Sequence, residues 1–195
     1  MTVSSDRGEK NMVILYVCFF WFLISAIAAY RENGTSIRIY CEAQCSLDKE
    51  TAYAAYLGIP EFYTSLSKAH KEFCVLDKNW EEGGLIRIKE SAGFQDVVHH
   101  YALKELIPGD KIYLVSLKSK VRVLGVIHTT NRTDVTFSFS RGEKDSKLGL
   151  EILIIFSNRI SQIIAFATGT KIIWNRHAVD EMKGLIRELE KRAYK

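Results

Sequence analysis

Apolar and polar positions alternate from Ser36 to Ser46. Ile37, Ile39, Cys41, Ala43 and Cys45 share one face; Arg38, Tyr40, Glu42 and Gln44 share the other. This predicts a half-buried strand. Ser46-Leu47-Asp48-Lys49-Glu50 then places acidic residues in the first turn of a helix. That helix, TAYAAYL, stops at Gly58, and Pro60 suits the first turn of a second short helix, PEFYTSLSKAH. Strands dominate the chain from there to about Phe156. Phe73–Leu76 is short. Gly83-Gly84 leads into LIRIKE, where Ile86 and Ile88 oppose Arg87 and Lys89. Val97–Leu106 ends at the turn Ile107-Pro108-Gly109-Asp110, and Tyr113–Leu117 runs back. Val121–Thr129 continues that strand or pairs beside it, and Asn131-Arg132-Thr133-Asp134 reads as a turn. Val135, Phe137 and Phe139 face inward against Thr136, Ser138 and Ser140. The polar loop GEKDS joins them to a strand with Leu148, Leu150, Ile152, Ile154 and Phe156 inward. Trp174, Ala178, Met182, Leu185, Ile186 and Leu189 recur at spacings of three and four, the stripe of a long amphipathic helix. Ile160–Thr170 is apolar and fits either a strand or a connecting helix or loop.

Ahead of all this lies Met12–Ala29, MVILYVCFFWFLISAIAA, without a formal charge. As a helix it extends about 27 Å, close to the hydrocarbon thickness of a bilayer. Three readings are open. Ala26-Ile27-Ala28 resembles a signal-peptide cleavage site, but the run is longer and bulkier than a usual signal core. A buried helix is the third possibility. An uncleaved transmembrane anchor fits best. The organisation expected is a tail at 1–11, the anchor at 12–29, a linker at 30–35 and one domain at 36–195.

Composition narrows the classes. Net charge is +4, from 27 Lys+Arg against 23 Asp+Glu, mixed in sign and without long runs, so no nucleic-acid partner is expected. Two prolines exclude Pro-rich low-complexity classes. In a strand, Cys41 and Cys45 lie about 13 Å apart on one face, beyond disulfide reach. With Cys74 they read as small core hydrophobes. Sequons occur at Asn33-Gly34-Thr35 and Asn131-Arg132-Thr133 and matter only in a glycosylating compartment.

The order of elements is strand, two short helices, strand meander, long helix. The segments CSLDKETAYAAYLGIPEFYTSL (45–66), GGLIRIKE (83–90), ALKELIPGDKIYLVS (102–116), DVTFSFSRGEKDSKLGLEILIIF (134–156) and WNRHAVDEMKGLIRELEKR (174–192) carry that order. Together they resemble the START-like, polyketide cyclase/dehydrase-like superfamily over about 36–195. The resemblance implies an α+β helix-grip fold: about seven curved antiparallel strands, two short helices, and a long C-terminal helix over an apolar cavity. Such cavities hold lipids, sterols, quinones or aromatic polyketides. None of the matching segments is a catalytic signature.

Strand parity and the helix stripe nominate the cavity walls: Ile39, Cys41, His99, Tyr101, Phe137, Phe139, Trp174, Ala178 and Met182. His99 and Tyr101 are the candidates for orienting a ligand or moving a proton. Adjacent His99 and His100 face opposite ways and cannot share a metal. His177 reads as a surface residue or one at the cavity mouth. No metal site and no cofactor is expected, since no nucleophile elbow, phosphate loop or His-Glu-x-x-His is present. The expected function is a membrane-tethered binding domain for a hydrophobic small molecule or lipid. A cyclase/dehydrase-type enzyme and a ligand-free interaction domain are the alternatives.

Overall fold

Seven strands pair in the order β1-β7-β6-β5-β4-β3-β2, and each adjacent pair is antiparallel. The computed structural model describes residues 4–31, 35–77, 80–142 and 145–194, with side chains from residue 10. Asn33 of the first sequon, and Glu143 and Lys144 of the last hairpin loop, lie outside the described residues. The elements are α1 (Ser4–Arg31), β1 (Ser36–Cys45), α2 (Lys49–Tyr56), α3 (Ile59–Leu66), β2 (His70–Val75) and β3 (Leu85–Ala92). They continue with β4 (Gln95–Ile107), β5 (Lys111–Val123), β6 (Ile127–Arg141), β7 (Ser146–Phe156), α4 (Arg159–Ala167) and α5 (Thr170–Ala193). This is the expected α+β, seven-stranded antiparallel arrangement with its long C-terminal helix.

Local chemistry explains most boundaries. The Asp48 side chain accepts from the Thr51 amide at 2.8 Å and caps α2. Pro60 sits in the first turn of α3, where its missing N–H costs nothing. That helix ends at Leu66, not at His70 as PEFYTSLSKAH suggested. Ser67 is extended (φ −148°, ψ 150°), and its hydroxyl accepts from the Ala69 amide at 3.2 Å. His70 therefore opens a strand.

One other expectation is corrected, and two open readings are resolved. Asn131–Asp134 is not a turn: it lies inside β6, with Asn131 opposite Ser119 and Phe156, and Asp134 opposite Val115 and Leu153. The irregularity falls on β5, whose register shifts between Val115 and Ser119. The true turn is Leu124-Gly125, both at positive φ (52° and 74°), closed by Val126 N–H to Val123 C=O at 3.2 Å. Two positive φ values suit a type I′ hairpin. Val121–Thr129 thus spans the end of β5, this turn and the start of β6. Finally, Ile160–Thr170 is mainly α4, capped by the Asn158 side chain accepting from the Ser161 amide at 2.9 Å.

Helix α1 starts within the expected tail, at Ser4. Lys10–Arg31 is long and apolar enough to cross a membrane by length and composition. Its side chains from Met12 to Phe20 are exposed, so it is no core helix. Its later half docks on α4. Ser25 and Ala29 are buried, and the Trp21 indole N–H donates to the Ala167 carbonyl at 2.8 Å. Cys18, Cys41, Cys45 and Cys74 are free thiols. Burial, aided by the charge of Glu181, pushes the Cys41 thiol up to about 11.

Two contacts position α5. At Gly184 it crosses α3 closely: a Cβ there would lie 2.0 Å from the Leu66 carbonyl oxygen. The clash is with backbone, so Gly184→Ala must push the helices apart. A loss of at least about 1–3 kcal/mol is expected, read as a lower urea midpoint. At the other end, buried Gln95 of β4 accepts from the Trp174 indole at 2.7 Å and donates to Thr170 Oγ1 at 2.8 Å. Gln95→Leu orphans the Trp174 indole N–H, while Thr170 Oγ1 keeps Thr168 Oγ1 at 3.3 Å. It is expected to cost about 1–3 kcal/mol. Trp174→Phe in the same background should recover part of that loss, measured by thermal unfolding.

Candidate functional site

Between the apolar sheet face and helices α3, α4 and α5 lies a cavity of about 60 Å³, measured as space open to the centres of water molecules. At about 10–15 Å³ per water it has room for a few waters. Its walls are mostly apolar: Ile88, Val97, Leu114, Val121, Val135, Phe137, Ile152, Ile154 and Phe156 from the sheet, Ile164 and Ala165 from α4, and Trp174 from α5.

Of the nominated residues, His99, Tyr101, Phe137 and Trp174 stand on this wall. Ile39, Cys41, Phe139, Ala178 and Met182 do not. They fill the core beside it, because α5 lies directly over β1 there: Cys41 Sγ is 3.5 Å from the Ala178 carbonyl oxygen. Phe139 is covered by Tyr53 and Tyr56, with ring centroids at 5.4 and 5.7 Å. The parity assignments point these side chains inward correctly; what they lack is the diagonal of α5, which closes one end of the groove and leaves the other open.

The open end is polar. Glu90 of β3, His99 of β4, and His177 and Glu181 of α5 all face the cavity. His70 stands just behind them, opposite Glu90 across the β2–β3 ladder. A register shift between His70 and Glu72 marks a bulge at this point, a device that re-aims side chains. His177 is therefore buried, which corrects the surface reading. All five groups are buried.

Their contacts form one network. The Tyr63 hydroxyl donates to Glu90 Oε1. His99 Nε2 lies 3.4 Å from Glu90 Oε2. Its Nδ1 meets Ser119 Oγ at 2.7 Å, and Ser119 contacts Ser116 and Thr133 at 2.9 and 3.3 Å. Tyr101 stacks on His99 and Tyr63 stacks on His70, with centroids 5.0 and 4.0 Å apart.

Burial pushes the Glu90 carboxyl upward, but His177 and His99 beside it prevail and hold it well below the usual carboxylate range. Burial raises Glu181, offset in part by His70 and His177. Burial pulls His177 down, yet Glu90 and Glu181 raise it overall. Burial and the same carboxylates push the Tyr63 and Tyr101 phenols well up, which keeps them neutral. The cluster thus moves its two carboxyls in opposite directions, Glu90 down and Glu181 up.

Part of this was present in the sequence. Glu90 shares the parity of Ile86 and Ile88 and points inward with them. His177 and Glu181 are four apart on the face that carries Trp174. His70 carried no local signal, since its inward aim depends on the bulge.

Among known proteins, no family model matches the chain and no curated protein matches its sequence. Solved structures do match its shape. The Zhui aromatase/cyclase from Streptomyces sp. R1128 superposes with a TM-score of 0.62 at 9% identity, covering 80% of this chain and 95% of that one. Major latex-like protein 151 from Panax ginseng gives 0.55 at 8% identity, covering 82% and 99%. Ara h 8.0201 gives 0.53 at 7% identity, covering 82% and 98%. At such identities the likeness shows fold alone, and on that ground the chain has the START-like helix-grip fold.

Proposed function

We propose that this chain is a membrane-tethered binding domain for a hydrophobic small molecule or lipid, held in the cavity under α5. The observation that carries the reading is the cavity itself: apolar walls on β3–β7 and α4, with a few polar groups gathered at one end. That is the usual make-up of a small-molecule site. The similar structures include an aromatase/cyclase, which is consistent with it. A volume of about 60 Å³ holds only a few waters, so a lipid-sized ligand must widen the groove. The wall best suited to move is α4, joined to α5 through Gly169 in the left-handed region (φ 60°).

The tether is α1, and its docking bears on how it meets lipid. With Trp21, Ser25 and Ala29 against the domain, the exposed stretch Asn11–Phe20 covers about 15 Å at 1.5 Å per residue. That is half of a bilayer's hydrocarbon. Full spanning requires α1 to leave α4. Exposed Phe94, Leu124, Val126 and Ile172 supply further apolar surface where the β3–β4 and β5–β6 turns meet the start of α5: Leu124 N–H donates to the Phe94 carbonyl, and Gly93 abuts Ile173.

A second reading, an enzyme of the cyclase/dehydrase type, is favoured by one observation. Glu90 sits against His99 and His177 at the cavity wall, where a proton can be given or taken.

Native mass spectrometry of the full chain, extracted in detergent, should show a co-purifying apolar molecule. Incubating that molecule with fresh protein separates carriage (mass unchanged) from catalysis (mass changed). Phe137→Ala, which opens the wall, is expected to increase uptake of an apolar fluorescent probe. It should destabilise by less than the roughly 3–5 kcal/mol of a fully packed Phe→Ala. A full-sized loss without extra uptake would mean the site is dense core. After carbonate extraction of membranes the intact chain should stay in the pellet; release into the supernatant would remove the anchor.

A further inference from the structure

We propose that His70, Glu90, His177 and Glu181 form a binding site for one divalent transition-metal ion, with zinc as the reference ion. The inference is independent of any hydrophobic ligand.

Geometry is the first support. One ligand atom from each residue lies within 4.8 Å of all the others. His70 Nε2 is 3.5 Å from Glu90 Oε1 and 3.8 Å from Glu181 Oε2; His177 Nε2 is 3.6 and 3.8 Å from the same two oxygens. A tetrahedral ion with bonds of about 2.0–2.1 Å needs edges of about 3.3 Å. Movements of a few tenths of an ångström would bring these four edges into range. The ligands come from three elements: β2, β3, and one face of α5 at i and i+4. An N₂O₂ set of imidazoles and carboxylates suits borderline divalent ions.

The histidines supply the second, separate support. His70 Nδ1 lies 2.9 Å from the Tyr63 carbonyl oxygen. A carbonyl only accepts, so Nδ1 carries a proton and Nε2 is the ring atom turned toward the carboxylates. His70 Nε2 has no hydrogen-bond partner, and neither ring nitrogen of His177 has one. Both residues are more than nine-tenths buried, at 4% and 5% exposure. Buried ring nitrogens that face carboxylate oxygens across 3.5–3.8 Å without a hydrogen bond leave a gap that a bound cation would bridge.

Charge is the third. Among the described residues, the ion pairs of Glu90 and Glu181 are all with histidines. Two carboxylates and two neutral imidazoles balance one divalent ion to zero net charge, which is what a buried site requires. The surroundings also resemble a supporting shell. The Tyr63 carbonyl fixes the His70 tautomer, while the Tyr63 hydroxyl and His99 hold the Glu90 oxygens. Glu90, His177 and Glu181 face the cavity, so a bound ion would meet whatever enters it.

The test uses the full chain in detergent, stripped with chelator and dialysed, then titrated calorimetrically with Zn²⁺ and, separately, Co²⁺. One ion per chain is expected, with the intense visible absorption of four- or five-coordinate Co²⁺. Glu181→Gln and His177→Gln, nearly isosteric, should weaken binding by about tenfold or more, with circular dichroism unchanged. Absence of stoichiometric binding, or a six-coordinate Co²⁺ spectrum, would overturn the proposal in favour of a cluster that holds only protons. Unchanged affinity in both variants would do the same in favour of a surface site. The Co²⁺ spectrum of the wild-type chain decides even if a variant fails to fold. Uptake of the apolar probe, measured alongside, is a separate readout and can succeed where metal binding fails.

Discussion

One helix has to cover a seven-stranded sheet, and the rest of the structure depends on that mismatch. A sheet with a single apolar face must bury it, and α5 is too narrow to cover all of it. The close crossing at Gly184 and the contact of Cys41 with Ala178 commit the middle and later part of α5 to α3 and β1. The β3–β7 side is left to α4 and to the first turns of α5. Packing is complete where the helix lies against β1 and incomplete where it diverges. The cavity occupies the second region.

Placing ionisable groups in that gap is costly unless they satisfy one another. Glu90, Glu181, His70, His99 and His177 do so as a set. Removing a single member leaves charge uncompensated, which is worse than never having placed it there. The network extends beyond the cavity through Ser119, Ser116 and Thr133, across three adjacent strands. Tyr63 is held twice in it: its hydroxyl donates to the Glu90 carboxylate and its carbonyl accepts from the His70 ring. Such an interior holds side chains in one arrangement instead of letting the groove collapse.

Periodicity made the scaffold legible because half-buried strands write their burial into alternate positions. Ile37, Ile39, Val135, Phe137, Phe139 and the Leu148–Phe156 series are all buried on the predicted face. Local turn chemistry was less reliable. Asn131-Arg132-Thr133-Asp134 has turn residues, but pairing on both sides keeps it extended, and the turn falls on Leu124-Gly125. The candidate site was half readable. Glu90 had inward parity, and His177 with Glu181 had helical spacing, but charge and apolar expectation argued against burying them. Meeting a histidine from another strand is a tertiary fact that no single segment contains. The same holds for the five residues placed on the cavity wall that turned out to be core. Parity gives the direction of a side chain; the crossing of α5 decides what it meets.

The two ends of the cavity differ in chemistry, and this restricts what can occupy it. Glu90, His99, His177 and Glu181 gather at β3, β4 and α5. The far wall is made mostly of Ile154 and Phe156 of β7 and Ile164 and Ala165 of α4, with Asn131 of β6 and Ser161 of α4 beside them and no ionisable group among the described residues. The outer side of α4 is where α1 docks, through Trp21 and the Ala167 carbonyl. The cavity wall and the surface on which α1 docks thus belong to one short helix, α4, with Ile164 and Ala165 turned to the cavity and the Ala167 carbonyl bonded to Trp21.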